Sequence, residues 1–171
     1  MTKALSFAAA ALLLIASCNV LCQDESRETP EANTVVERIM SSAFARCHSE
    51  RNGVKGLSFV PPTTEEMAEV VSMGDDAIAP LASYFDAEPN GGFLQLFAVK
   101  FLEALNRHET FSPLARAFDH DQCEVTRNAA LNAMFALSEQ EAKPYVEAAL
   151  SDESKVVKQS AARLWALYKA D

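Results

Sequence analysis

From Thr34 onward the apolar residues of this chain recur at spacings of three and four. Val35, Val36, Ile39, Met40, Ala43 and Phe44 line one side of an amphipathic helix predicted to end near Cys47. The segment 51–62 (RNGVKGLSFVPP) breaks that rhythm with two glycines and a double proline. A loop is expected there, with Leu57, Phe59 and Val60 tucked against the first helices. Thr63 and Glu66 then have the spacing of a capping box, in which a hydroxyl and a carboxylate satisfy each other's orphan backbone amides. They predict a helix start; Met67, Val70, Val71 and Met73 supply its stripe, and Gly74 is placed to end it in the left-handed conformation.

Beyond Met73 the pattern copies itself. The run at 80–86 (PLASYFD) returns 33 residues later at 113–119 as PLARAFD, with five of seven positions identical, and a looser copy opens at Pro144-Tyr145-Val146. Self-similarity at this period marks a helical solenoid, in which each unit buries its apolar face only against its neighbours. The second halves align as well: Arg127, Ala130, Ala133 and Met134 sit over Lys158, Ala161, Leu164 and Trp165, and Val125 sits over Val156.

Each unit is predicted to hold a helix A and a helix B, at 76–85 and 92–106, then 110–118 and 123–137, then 138–150 and 153–169. Ser138 and Glu141 form a second capping box at the head of the last unit. Ala98, Ala130 and Ala161 fall where helix B must approach helix A closely, because a small side chain lets two helices pack near the low end of their usual separation. Phe101, Leu102, Leu105, Met134, Leu137, Leu164, Trp165 and Tyr168 are left to fill the space between units. The expected fold class is all-α: a short right-handed α-solenoid of helical hairpins over 34–171. Capping helices would occupy 34–73, and repeats would follow at 75–106, 109–137 and 138–169.

Composition agrees and narrows the partners. At 171 residues and 49% apolar, the chain suits one domain with a real core. Its five glycines, against abundant Ala, Leu and Glu, favour helix throughout. The net charge of −9, with Lys and Arg scattered singly, argues against binding nucleic acid or an anionic lipid surface.

The first 22 residues read as a signal peptide. Lys3 gives a short positive region, and 5–16 is an apolar and small-residue run too short to span a bilayer as a resident helix. Ile15-Ala16-Ser17-Cys18 resembles the lipobox of bacterial lipoproteins, which implies lipidation of Cys18; a cut after Cys22 would instead release a soluble chain beginning at Gln23. Cysteine parity favours the second cut, since it leaves Cys47 and Cys123 as a candidate disulfide. The acidic stretch 23–33, broken by Pro30, is expected to be a flexible tether.

From Met73 to the end the chain resembles bacterial HEAT-like repeat proteins, of the helical-hairpin type also seen in phycobilin lyase subunits. The residues that carry the resemblance are Asp121, Arg127, Ala130, Ala133 and Met134 in the second unit, and Asp152, Val157, Lys158 and Ala161 in the third. Thr126 stands where Val is usual, and in the first unit Gln95 stands where Arg would be. The resemblance implies a protein-binding scaffold and says little about the partner.

One polar cluster, Asp119-His120-Asp121-Gln122-Cys123-Glu124, gathers several metal-ligand types. A closed zinc site would need Cys47 and His48 as well, and the plainer reading is that Asp119 and Asp121 cap the second helix B. His108-Glu109 resembles one of the iron-binding pairs of the helical-repeat deoxyhypusine hydroxylases, a family that uses several. No phosphate loop or nucleophile elbow is present in the sequence. Arg127 and Lys158 are expected to pair with Asp121 or Asp152.

The outward side of the B helices is then the expected partner-binding face: Lys100, Glu103, Asn128, Asn132, Phe135, Gln159 and Arg163, with Phe135 as an aromatic anchor or else buried against the next helix. The chain thus reads as a non-enzymatic scaffold, periplasmic or at the cell surface, lipid-anchored or otherwise secreted in soluble form. It is expected to need no catalytic residue, cofactor or metal, and to bind another protein. The alternative is a small metal-binding or redox protein using Cys47, His48, His120 and Cys123.

Overall fold

The computed structural model describes residues 30–51, 54–86, 92–120 and 123–169. These are helices packed together, with one short antiparallel hairpin near the N-terminal end.

Helix α1 (Pro30–Cys47) begins earlier than the apolar stripe alone suggests. Proline in the first turn sacrifices no intrahelical bond, and Ala32 extends the buried row that continues through Val36, Ile39, Met40, Ala43 and Cys47. Residues 30–33 of the tether expected over 23–33 are therefore helical, and residues 23–29 lie outside the described set.

The loop expected at 51–62 is replaced in part by strands β1 (His48–Arg51) and β2 (Val54–Leu57), paired from His48 with Leu57 to Arg51 with Val54. The following loop is held back by a Ser58 N–H bond to the Cys47 carbonyl. Phe59 then stacks on Phe97 at 5.1 Å and tilts against Phe93 at 5.8 Å. Aromatic packing of this kind fixes the loop over the helix Gly92–Leu105.

Helix α2 (Thr64–Met73) opens on the full capping box: the Glu66 N–H donates to Thr63 Oγ1 and the Thr63 N–H donates to Glu66. Gly74 ends it with φ +59° and ψ −131°, a positive φ that favours glycine although ψ lies outside the left-handed helical basin.

The first helix A is not one helix. Gly74–Ala77 is 3₁₀, α3 spans only Ile78–Ala82, and Ser83–Phe85 is 3₁₀ again. The Ser83 hydroxyl donates to the Pro80 carbonyl at 2.7 Å, competing with the backbone bonds that would prolong α3. The remaining helices are α4 (Gly92–Leu105), α5 (Phe111–His120, after a 3₁₀ turn at His108–Thr110), α6 (Glu124–Leu137), α7 (Glu139–Ala149) and α8 (Lys155–Leu167). Each matches its predicted position to within a few residues.

Helices α4, α6 and α8 pack in succession, with α5 and α7 against α6. Ala98, Ala130 and Ala161 are all completely buried along that row, where added bulk would force helices apart. Phe97, Phe101, Leu102, Leu131 and Met134 fill the centre. Among the described residues no helix is long and apolar enough to cross a membrane.

Candidate functional site

None of the seven residues of the expected partner face is buried: Glu103, Gln159 and Arg163 are exposed, and Lys100, Asn128, Asn132 and Phe135 are half-buried. They ride on α4, α6 and α8, the row of helices that pack side by side. Several already satisfy one another. Lys100 Nζ pairs with Glu103 at 2.8 Å, Asn132 Nδ2 donates to the Asn128 carbonyl at 2.6 Å, and Arg163 donates to the Ser160 hydroxyl at 2.9 Å.

Phe135 departs from the exposed-anchor reading. Its ring meets Tyr168 edge to face at 5.6 Å, and Tyr168 in turn packs on Trp165 and lies under Lys143 Nζ. The Tyr168 hydroxyl donates to the Glu139 carbonyl, so this aromatic group ties the end of α8 to both α6 and the start of α7. The sequence signal for that contact is Tyr168 itself, one of the large residues expected in the space between units.

The strongest polar arrangement joins α6 to the turn before α8. Arg127 Nε donates to Asp152 Oδ2 at 3.1 Å and Nη2 to Oδ1 at 2.9 Å, and both side chains are about nine-tenths shielded from solvent. The Ser154 N–H donates to the same Asp152 at 2.7 Å, the Ser154 hydroxyl donates to Glu124, and its oxygen caps α8 by accepting from Val156 N–H. Burial opposes the Asp152 charge, yet the Arg127 and Ser154 hydrogen bonds and the nearby Lys158 hold its carboxyl below the usual range. The pairing expected for Arg127 is thus made with Asp152. Gln95, which stands in sequence where an Arg would be expected, is buried, and its Oε1 has no partner among the described residues.

Other side-chain links join different pairs of segments. Arg116 caps the end of the broken first helix A by donating to the Ala82 carbonyl at 2.9 Å and reaching Asp86 at 3.3 Å. Glu141 lies 2.9 Å from His108 Nε2. The capping box expected at Ser138 is consequently only half made: Ser138 accepts from the Glu141 N–H, while the Glu141 carboxylate is engaged by His108.

The candidate cysteine chemistry is not assembled. Cys47 is a free, buried cysteine whose Sγ approaches the Ala43 carbonyl at 3.7 Å, so the disulfide to Cys123 is not formed. Cys47 ends α1 and Cys123 takes the N-cap position of α6. That position has no side-chain cap: Asp119 is in the last turn of α5, and Asp121 lies outside the described residues, so the Asp119 cap expected for this helix is not found. The side chains of His48 and His120 also lie outside the described set. Among the described residues no group of three or more His, Cys, Asp or Glu side chains gathers as a metal site. Cys18 and the rest of residues 1–29 fall outside it too.

One concavity was missed by the sequence. Between α1 and the broken first helix A lies a cleft of about 260 Å³, lined by Asn33, Val36, Glu37, Pro80, Ser83 and Tyr84. Val36 and Pro80 are buried and make its apolar surface, while Glu37 is exposed. Burial and, secondarily, the negative charge of Glu37 push the Tyr84 phenol above its ordinary value. The polar composition of 23–33 points to a tether at Asn33; Ala32, continuing the spacing of Val36, is the sign that the helix reaches it.

Comparison with family models, with curated proteins and with solved structures finds no match for this chain.

Proposed function

We propose that the chain is an exported, non-enzymatic scaffold of HEAT-like repeats, tethered to a bacterial membrane through a lipidated Cys18, that binds another protein across the outward side of α4, α6 and α8. The observation that carries this reading is the equivalence of Ala98, Ala130 and Ala161. They are 32 and 31 residues apart in sequence, each is completely buried, and each sits on one of three helices packed in succession. A chain that repeats one two-helix unit builds an extended face, and such faces act by surface complementarity. The links Arg127 to Asp152 and Arg116 to Ala82 support the same reading, since they hold one unit in register with the next.

The test is site-specific photo-crosslinking from Asn128 and Gln159 of the full chain in its own cells, with Glu65 as the control position. The expected result is one dominant protein adduct from the first two positions, whose purified form binds the chain and loses binding on Asn132→Asp with Arg163→Glu. Binding indifferent to those substitutions overturns the face, and about one equivalent of tightly bound zinc on the purified protein overturns the scaffold in favour of the metal reading. Mass spectrometry of the mature N-terminus decides the tether: a lipidated Cys18 supports it and a free Gln23 removes it.

A further inference from the structure

The cleft between α1 and the first helix A has a lining whose chemistry selects its occupant. Glu37 brings a carboxylate that makes no hydrogen bond or ion pair among the described residues, although neighbouring arginines are engaged: Arg38 with Glu69 and Arg46 with Glu66. Ser83 uses its hydroxyl hydrogen on the Pro80 carbonyl, so toward the cleft it offers only lone pairs. Asn33 adds an amide with no partner among the described residues, and Tyr84 adds an aromatic ring and a phenol oxygen.

An anion would meet the Glu37 charge. A neutral apolar molecule would bury that charge without compensation. A hard metal ion needs several oxygen ligands, generally with more than one carboxylate, and the apolar surface of Val36 and Pro80 gives it none. What suits a carboxylate, an aromatic ring, acceptor oxygens and an apolar surface together is a positively charged head on a short hydrocarbon stem. The volume of about 260 Å³ is below that of pockets for drug-sized ligands and fits one such group.

We propose that this cleft binds an organic cation, an alkyl guanidinium or alkyl ammonium group, with its stem on Val36 and Pro80 and its head between Glu37 and the Tyr84 ring. The group can come from a free amine or from an arginine or lysine side chain of a protein; the chemistry is the same. In the second case the cleft adds a specificity pocket to the scaffold reading, while the cation site itself stands without it.

The experiment is a nuclear magnetic resonance titration of the full chain with butylguanidinium and butylammonium, using butyramide as the neutral counterpart and sodium chloride as the ionic-strength control. Saturable shifts confined to Asn33, Glu37, Ser83 and Tyr84 are expected with both cations and absent with butyramide. Glu37→Gln should weaken binding about fivefold, the loss of an interaction near 1 kcal/mol, with the rest of the spectrum unchanged. A blocked tripeptide centred on arginine separates the sources: tighter binding than butylguanidinium identifies a protein side chain, and equal or weaker binding identifies a free amine. Shifts reproduced by sodium chloride or butyramide, or unaffected by Glu37→Gln, overturn the proposal.

Discussion

Arg127 on α6 grips Asp152, 25 residues further along the chain, through both nitrogen arms of a planar fork. The pair is nearly closed off from water, and Asp152 also accepts from the Ser154 N–H that positions the cap of α8. Removing Arg127 leaves a poorly hydrated carboxylate, so Arg127→Ala should destabilise by roughly 3 kcal/mol, and Asp152→Ala by less, because Glu153 at 3.5 Å still faces the guanidinium. In a double-mutant cycle the two changes should couple by about 2 kcal/mol. Urea unfolding of the four proteins measures this, and additive effects would show that the fork does not carry the link.

Acid should loosen the fold through two carboxylates. Burial opposes the charge of Glu66, but Arg46, with both nitrogens at 2.6 Å, and the Thr63 N–H hold its carboxyl below the usual range, as happens at Asp152. A carboxyl whose folded pKa lies below its unfolded one binds fewer protons folded, so its contribution is complete above the unfolded value and fades as pH falls through the folded one. Thermal midpoints should therefore hold from neutrality to about pH 5 and fall below it. The variant combining Glu66→Gln with Asp152→Asn should start lower and fall less. Because the chain carries −9, protonating its other carboxylates relieves repulsion in both proteins, and the difference between their profiles isolates the pair.

Most helices were legible because several local signals agreed at their ends. Thr63 with Glu66 and the repeated PLA-x-x-FD run each placed an element that the structure contains. The hairpin of β1 and β2 is poorly legible: Asn52-Gly53 is a favoured two-residue hairpin dipeptide, but its flank 48–51 (HSER) has no apolar residue to alternate, and the glycines and prolines of 51–62 point to a loop. The cleft was illegible for another reason. It depends on Ser83 diverting the backbone after Pro80 and on α1 lying beside that turn, a tertiary placement that no spacing encodes. Phe135 likewise shared the phase of exposed residues, and only the position of Tyr168 showed what covers it.

The two serine and threonine caps should differ in worth. At Thr63 the box is reciprocal and its carboxylate is also braced by Arg46, whereas at Ser138 only one bond is made, at 3.4 Å. Thr63→Ala should cost about 1–2 kcal/mol and Ser138→Ala about 0.5 kcal/mol. Denaturation midpoints of the two variants give the ordering, and equal costs would mean that the reciprocal half of the box contributes nothing.

Thr126 carries the clearest defect in the core. It is completely buried on α6, and its Oγ1 has no hydrogen-bond partner among the described residues, so folding strips water from the hydroxyl without replacing it. The matching residue of the next unit is Val157, also completely buried, which fills the same shape without a polar atom. Thr126→Val should accordingly stabilise the protein by about 1 kcal/mol, while the reverse change, Val157→Thr, should destabilise it by about 1–2 kcal/mol. Opposite signs from one chemical exchange at two aligned positions would tie the unit-to-unit correspondence to energetics. A loss of stability with Thr126→Val would instead require a polar contact at Oγ1 that the fold described here does not contain.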